Sequence, residues 1–168
     1  MNNDIIIIGY ADGSCEPQNP GGVVGYGWWM DWQGEDVEEF AIAFSGGTFA
    51  TNNIAEFIAV EALLMEVVSR AWSIAERVDK KLIIRGDSQL VIQVLNGEWS
   101  ARKPHLRPIA AILNMLKDKL VQAGWTVIGE QIPREQNQRA DKLSRRALNE
   151  IEKDRASLTE KLGEEYYL

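Results

Sequence analysis

The chain has 168 residues, of which 45% are hydrophobic and 26% charged, with a formal net charge of −7 at pH 7. This length and composition are typical of a single globular domain whose core needs neither disulfides nor a structural metal. The single cysteine excludes an internal disulfide, and no apolar run approaches the length that crosses a bilayer, so we expect a cytoplasmic protein without a membrane segment.

The first third of the chain has the composition of β-strands. Three β-branched or aromatic segments are predicted as consecutive antiparallel strands: residues 5–10, 25–32 and 37–44. A glycine-rich turn at 20–22 and a hairpin turn around Gly34 separate them. Alternation places Ile6, Ile8, Tyr10 and Asp12 on one face of the first strand, which we expect to meet the core.

The hydrophobic period then changes to that of helices. Ser88 stands before one apolar segment as a helix cap, and Gly124 ends another. The predicted elements, in order, are a helix over about 53–77, a strand over 82–85, a helix over 89–95, a helix from 104 to about 123, a strand over 125–132, and a helix from about 137.

The predicted order is β-β-β-α-β-α-α-β-α. Three antiparallel strands followed by strand–helix crossovers give an α/β fold, with a mixed five-stranded sheet and helices packed on it. We assign residues 1–150 to one domain. Residues 151–168 are charged and weakly amphipathic, and we interpret them as an extension of that domain, either helical or frayed.

The residue types exclude several kinds of active site. The only histidine, His105, lies between prolines in a basic turn, and Cys15 has no histidine near it in sequence. No Cys/His spacing is typical of zinc, and no phosphate-binding loop motif is present.

Four acidic residues occupy positions where acids are unusual. Asp12 follows an apolar strand, Glu56 shares a helical stripe with apolar residues, Asp87 stands at the carboxyl end of a strand, and Asp141 lies in the first turns of the last helix. Each alone is better explained as a helix cap or an edge position on the surface. Gathered together, they would repel unless a cation neutralised them, and carboxylate clusters select magnesium or manganese.

The net charge taken alone argues against a nucleic-acid partner. Basic residues nevertheless cluster in two places, over residues 102–107 and over residues 134–146. Each cluster has two interpretations: a phosphate-binding surface or a solvated helix face.

The neighbours of the four acids resemble the motifs of type I ribonuclease H over nearly the whole chain. The corresponding segments are Asp12-Gly13-Ser14-Cys15, Asn19-Pro20-Gly21-Gly22, Gly25-Tyr26-Gly27, Thr51-Asn52-Asn53-Ile54-Ala55-Glu56, Asp87-Ser88-Gln89 and Asn137-Gln138-Arg139-Ala140-Asp141. Each segment alone is common, but their order on matching secondary structure is specific.

The resemblance implies the ribonuclease H fold and an endonuclease that cleaves the RNA strand of RNA–DNA hybrids, leaving 5′-phosphate and 3′-hydroxyl ends. It implies that Asp12, Glu56, Asp87 and Asp141 are catalytic and hold two Mg²⁺ ions, with Mn²⁺ as the other possible metal. The expected partner is a hybrid, bound by a monomer. Two metal ions promote in-line displacement at phosphorus by activating a water and stabilising the leaving oxygen.

The resemblance also implies contacts to the hybrid. The positions that match the family's substrate contacts are Gly13, Ser14, Asn19, Thr51, Asn52, Asn53 and Gln89. In the family, residues like Gly13 and Ser14 meet the RNA strand, and Thr51 matches a residue that holds a DNA phosphate. Capping of the following helix is the alternative interpretation of residues 51–53.

Two features depart from the family pattern. Family members often carry a histidine in the loop before the last acid. The loop over residues 132–136 has none here, and we expect Arg134 or Glu135 to substitute for it, with Arg134 as a further substrate-binding residue. A basic protrusion found in some members is absent, so binding would depend on Arg102, Lys103, His105 and Arg107 and would be sensitive to salt.

Two other functions are compatible with the same fold. One is a different nuclease, such as a junction resolvase or an integrase core, and the other is a non-catalytic nucleic-acid-binding domain. The Thr-Asn-Asn-x-x-Glu segment argues against the first, and the presence of all four acids argues against the second.

Overall fold

The computed structural model describes residues 4–74 and 78–166. Its strands are β1 (Ile5–Glu16), β2 (Val23–Trp32), β3 (Glu35–Ser45), β4 (Lys80–Gly86) and β5 (Trp125–Gln131). Its helices are α1 (Asn52–Ala71), α2 (Gln89–Leu95), α3 (Arg107–Gln122) and α4 (Gln138–Tyr166). Short 3-10 turns, Pro104–Leu106 and Arg134–Gln136, precede α3 and α4.

The strands form one mixed sheet in the order β3-β2-β1-β4-β5. The pairs β1–β2 and β2–β3 are antiparallel, whereas β1–β4 and β4–β5 are parallel. This confirms the mixed five-stranded sheet, because consecutive hairpin strands give the antiparallel half and strand–helix crossovers give the parallel half.

Helices cover both faces of the sheet at positions where glycine lets them approach closely. On one face, a Cβ atom on Gly13 would overlap the backbone of Ala55 in α1. On the other face, a Cβ atom on Gly27 would overlap Leu143 in α4. The centre of β1 is therefore enclosed between α1 and α4.

The face of β1 that meets the main core differs from our prediction. Ile7 and Ala11 are buried on the side of α1, whereas Ile6, expected to be inside, is 58% exposed. The even-numbered residues lie on the opposite face, which α4 covers only from Asp12 onward, where Ser144 contacts the Asp12 carboxylate. Asp12 is thus buried, but beneath α4 rather than in the main core.

The predicted ends of several elements also differ. β1 continues six residues beyond the predicted end because Ser14, Cys15 and Glu16 pair with β2. The first helix, predicted to run to about residue 77, ends at Ala71, and residues 75–77 lie outside the described residues. The helix predicted from residue 104 begins as a 3-10 turn and becomes α3 at Arg107.

The last helix is long. α4 is continuous from Gln138 to Tyr166, and among its residues whose burial is described, the buried ones lie within its first eleven positions. The division of the chain at residue 150 stays a prediction. Over the two described stretches of chain, no helix is both long enough and apolar enough to cross a membrane.

Candidate active site

The four predicted acids come from four separate elements. Asp12 lies in β1, Glu56 in α1, Asp87 directly after β4, and Asp141 in the first turn of α4. In the parallel pair β1–β4, Tyr10 pairs with Arg85, and the same register two residues further on brings Asp12 level with Asp87. The topology thus directs two of the acids to the same end of adjacent strands.

The acids influence one another electrostatically. The pKa of Asp12 is raised from 3.8 to about 7, mainly by burial and also by the charges of Asp87 and Asp141, against a lowering hydrogen bond from Ser144. The pKa of Glu56 is likewise raised to about 7, mainly by burial and also by repulsion from Asp12 and Asp87. The four acids therefore form one group of interacting negative charges.

Polar partners hold the acids in place. Ser144 Oγ lies 2.7 Å from Asp12 Oδ2 and 2.9 Å from the carbonyl oxygen of Asp141. Asp141 also pairs with Arg134 at 3.0 Å and with Arg145 at 3.3 Å. A hydrogen bond from Ser88 lowers the pKa of Glu56. The hydrogen bonds from Ser144 and Ser88 favour the ionised forms of Asp12 and Glu56.

The four carboxylates are the type of ligand that a divalent cation prefers, but their oxygens are not yet close enough together to bind one. Among the described residues, no three Asp, Glu, His or Cys side chains are grouped closely enough to hold a metal ion. The candidate ligands are carboxylates alone, which suit hard ions such as Mg²⁺. Burial and mutual repulsion disfavour the charged forms of Asp12 and Glu56, and a bound cation would stabilise those forms.

Arg134, predicted as a substitute for the family's loop histidine, lies beside the acids. Its guanidinium donates to Asp141 Oδ1 and stays 65% exposed. Its charge lowers the pKa of both Asp12 and Glu56. The structure thus places an exposed cation at the rim of the acidic group, while the exposed Glu135 forms no hydrogen bond or ion pair with any of the four acids.

The residues around the start of α1 form a connected set. The Asn52 backbone N–H donates to Asn19 Oδ1 at 3.1 Å, and the Cys15 N–H donates to Asn52 Oδ1 at 2.8 Å. Thr51 Oγ1 accepts from the N–H of Ile54, so Thr51 caps α1 as the alternative interpretation required. Asn52 is exposed, and its Oδ1 accepts from Cys15, so its Nδ2 is the atom left to donate to a ligand.

The other predicted contact residues are placed differently. Gly13 is buried against α1, and the buried Ser14 hydroxyl has no hydrogen-bond partner among the described residues. Asn53 is half-buried, whereas Gln89 is exposed at the start of α2. Whether these residues contact a hybrid stays a prediction.

The two basic clusters behave differently. In the second, Arg139 pairs with Asp36 and Glu38, and Arg146 pairs with Glu150, so these side chains are engaged within the protein. In the first cluster, Arg102, Lys103 and Arg107 are exposed, and His105 stacks on Phe49 with ring centroids 5.2 Å apart. The first cluster is therefore the better candidate for phosphate contact.

Sequence reasoning did not identify Ser144 and Arg145 as partners of the acids. Both follow Asp141 by three and four residues, so their place on the same helical side was readable from the period of α4. The bond from Ser144 to Asp12 was not, because it joins residues 132 positions apart.

Asn137 anchors the start of α4 to β1. It is 2% exposed, and its Nδ2 donates to the carbonyl oxygen of Ala11 at 3.0 Å, next to Asp12. The backbone carbonyl oxygen of Asn137 accepts a hydrogen bond from the N–H of Asp141. The motif asparagine thus links the strand of one acid to the helix of another.

We expect Asn137→Ala to lower the free energy of unfolding by about 2 kcal/mol, because it removes a buried hydrogen bond and leaves a cavity. Urea denaturation measures this change. The control is Asn114→Ala on the exposed side of α3, with an expected change below about 0.5 kcal/mol. Equal effects of the two substitutions would contradict the anchoring role.

Comparison with known proteins gives one consistent family. The family model described as RNase H matches residues 4–149. The chain is 32% identical over 114 residues to Ribonuclease HI of Halobacterium salinarum, a match covering 65% of this chain and 50% of that protein. It is 27% identical over 156 residues to Ribonuclease H of Bartonella quintana, covering 92% of this chain and 96% of that protein.

Solved structures agree in fold. LC11-RNase H1, determined in complex with an RNA/DNA hybrid, superposes with a TM-score of 0.72 at 27% identity, covering 86% of this chain and 98% of that one. RNase H1 of the halophilic archaeon Halobacterium salinarum superposes with a TM-score of 0.67 at 28% identity, with the same coverage. The predicted fold class is therefore confirmed.

Proposed function

Since the chain belongs to the RNase H family, we propose that it is an endonuclease that hydrolyses the RNA strand of RNA–DNA hybrids. The observation that carries the proposal is the group of four interacting acids, in which burial and like charges raise the pKa of Asp12 and of Glu56 to about 7. Keeping such charges together is costly for a domain that only binds nucleic acid. A bound divalent cation would offset this cost by stabilising the ionised carboxylates.

In this proposal, Asp12, Glu56, Asp87 and Asp141 hold two Mg²⁺ ions, or Mn²⁺. When bound, the ions would supply an activated water and stabilise the leaving 3′-oxygen, leaving 5′-phosphate and 3′-hydroxyl ends. Ser144 favours the ionised form of Asp12 and orients its carboxylate through the bond at 2.7 Å. Arg145 and Arg134 pair with Asp141 and hold its carboxylate in place.

Arg134 has a second role in the proposal. Its guanidinium is 65% exposed while it pairs with Asp141, so it is accessible to a phosphate. It would exchange its bond with Asp141 for one with a phosphate oxygen, because guanidinium pairs well with both groups. This would bring a positive charge to the substrate and free Asp141 for a cation.

Recognition of a hybrid requires a reader of the 2′-hydroxyl on one strand. We propose that backbone at Gly13 and Ser14, together with Glu56, meets the RNA strand. The amides of Asn19, Asn52, Asn53 and Gln89 would reach the minor groove, and Thr51 would hold a phosphate of the DNA strand. LC11-RNase H1, which shares this fold, was determined with an RNA/DNA hybrid, which supports this class of substrate.

Cleavage of a labelled 20-base-pair hybrid tests the proposal, with duplex RNA and duplex DNA of the same sequence as controls. We expect cleavage of the hybrid alone, only with Mg²⁺ or Mn²⁺, and full loss of cleavage in EDTA. Phosphate contacts would depend on exposed cations such as Arg102, Lys103 and Arg107, so the apparent affinity is expected to be weak and to fall with salt at a slope that counts those contacts.

The other outcomes separate the alternatives. Binding of the hybrid without cleavage under every metal condition would support a non-catalytic binding domain. Cleavage of duplex DNA or of branched DNA in preference to the hybrid would support another nuclease of the same fold. Either result would overturn the proposed activity.

A further inference from the structure

Five side chains, one from each strand, form a continuous row across the face of the sheet that carries α4. Adjacent members of the row are directly paired in the strand registers. In spatial order they are Glu38, Trp29, Tyr10, Arg85 and Glu130. We call this set the cross-strand row. It lies one pleat away from Asp12, because Tyr10 and Asp12 are alternate residues of β1 on the same face.

Side-chain contacts join three of the four neighbouring pairs of the cross-strand row. The rings of Tyr10 and Trp29 stack with centroids 4.5 Å apart and planes 2° from parallel. Arg85 donates from Nη1 to the Tyr10 hydroxyl at 2.8 Å and from Nε to Glu130 Oε2 at 2.9 Å. The row is therefore a fixed feature of the sheet rather than a set of independent surface side chains.

Arg139, in the first turn of α4, closes the other end of the row. Its Cζ lies 4.3 Å from the centroid of the Trp29 ring. Its Nη2 donates to Glu38 Oε2 at 2.9 Å and to Asp36 Oδ1 at 2.7 Å. A single side chain thus ties the start of α4 to β2 and β3 by a cation–π contact and two charge-assisted hydrogen bonds.

The row does not offer a stacking surface for a nucleic-acid base. Tyr10 occupies one face of the Trp29 ring, and at these distances the Arg139 guanidinium must occupy the other. Tyr10 stacks on Trp29 and lies beneath Arg85, whose Cζ is 5.7 Å from the ring centroid. Both aromatic rings are already in contact with other side chains of the protein, so we interpret the row as a structural feature that joins the strands to α4.

Helical geometry relates Arg139 to the candidate active site. Residues two apart on an α-helix point about 200° apart around its axis. When Arg139 is held toward the cross-strand row, Asp141 is therefore directed to the opposite side of α4. Ser144 lies on the same side as Asp141, and it bonds with Asp12.

We propose that Arg139 is a positioning residue, which fixes the rotation of the first turn of α4 on the cross-strand row and so sets where Asp141 and Ser144 stand relative to Asp12. Asn137 holds the chain before this turn through Ala11, and packing on Gly27 holds the helix after it. Arg139 adds the contacts that join this turn itself to β2 and β3. The consequence for cleavage rests on the proposed function, but the positioning itself does not.

Arg139→Gln tests the proposal, with Arg146→Gln as the matched control. Arg146 lies on the same helix, with its Cζ 4.6 Å over the Phe40 ring and an ion pair to Glu150, and it contacts neither the row nor the acids. Hydrogen exchange of the metal-free protein is measured by NMR. We expect the amides of residues 141–144 to exchange about tenfold faster in Arg139→Gln and at the normal rate in Arg146→Gln.

Two further measurements follow the effect to the site. Calorimetry with Mg²⁺ alone is expected to show about tenfold weaker binding in Arg139→Gln, as for other supports of metal ligands. In the hybrid assay, kcat is expected to fall about tenfold with KM changed less than about twofold, since no substrate contact is removed. Arg139→Lys keeps the charge but not the planar stack, and we expect an intermediate result.

The outcomes are separable. Unchanged exchange at residues 141–144 in Arg139→Gln overturns the proposal, whatever the activity. Faster exchange with unchanged Mg²⁺ binding overturns the link between the row and the acids. If the unsubstituted protein binds Mg²⁺ but cleaves no hybrid, the proposed function fails, while exchange and calorimetry still decide the positioning role. If Arg139→Gln does not fold, the same measurements on Arg139→Lys decide.

Discussion

Replacing Asp87 with asparagine is expected to reduce hybrid cleavage by about a thousandfold or more while leaving the fold intact. Asp87 is the acid whose charge acts on both Asp12 and Glu56. Asparagine has nearly the same shape, but it replaces an anionic ligand oxygen with a neutral amide. The site would then bind cations less tightly and hold them in a different position, and cleavage depends on the affinity and on the position of the ions.

The fold should not suffer, for two reasons. The contact of Asp87 with the rest of the protein uses its backbone carbonyl oxygen, which accepts from Gln131 Nε2 at 3.4 Å and is unchanged by the substitution. The substitution also removes a like charge from the neighbourhood of Asp12 and Glu56, which relieves repulsion. We therefore expect a melting temperature equal to or above that of the unsubstituted protein.

Asp118→Asn is the matched control, because it removes the same charge from an exposed position on α3. Initial rates of hybrid cleavage at saturating Mg²⁺ are compared for the three proteins, together with their thermal unfolding. Activity of Asp87→Asn within tenfold of the unsubstituted protein would remove Asp87 from the site. An unfolded variant would contradict the claim that the side chain has no structural role.

Local sequence pattern was sufficient for the architecture. β-branched runs and a change of hydrophobic period are properties of neighbouring residues, so they predicted the order of strands and helices and the mixed sheet. Pattern was not sufficient for the end of β1. Asp12, Gly13 and Ser14 have low strand propensity, and they are in the strand because they pair with Gly27, Tyr26 and Gly25 of β2.

Only the residues of the candidate site that belong to sequence motifs could be predicted. Position and residue type made Asp12, Glu56, Asp87 and Asp141 candidates, and resemblance to a family grouped them. What surrounds them depends on contacts between distant segments, such as Ser144 with Asp12. The cross-strand row depends on four strand registers at once, and no local pattern specifies these.

The second large effect concerns Asp12, and it reverses the usual influence of pH on an acidic residue. The pKa of Asp12 is 3.8 in the absence of the fold and about 7 within it, so the folded protein binds the proton more tightly. Between about pH 4 and pH 7 the unfolded chain has already released the proton that the folded chain keeps. Stability from this group is therefore full below pH 4 and falls as the pH rises toward 7.

We expect Asp12→Asn to be more stable than the unsubstituted protein in EDTA, by an amount that grows with pH. Asparagine does not titrate, and its side-chain oxygen still accepts from Ser144. The difference in free energy of unfolding should be near zero at pH 4 and roughly 4 kcal/mol above pH 7, since each unit of pKa shift corresponds to about 1.4 kcal/mol. Urea denaturation across this pH range measures it.

Magnesium supplies the decisive comparison. A cation that binds only the folded, ionised site stabilises the unsubstituted protein by about 2.7 kcal/mol at a hundred times its dissociation constant. It should therefore narrow the gap to Asp12→Asn at pH 7.5 and leave Asp118→Asn parallel to the unsubstituted protein. A difference that stays constant from pH 4 to pH 8 would mean that Asp12 carries an ordinary charge in the folded state. Burial and mutual repulsion would then not destabilise the ionised acids, and a cation would have no such cost to offset.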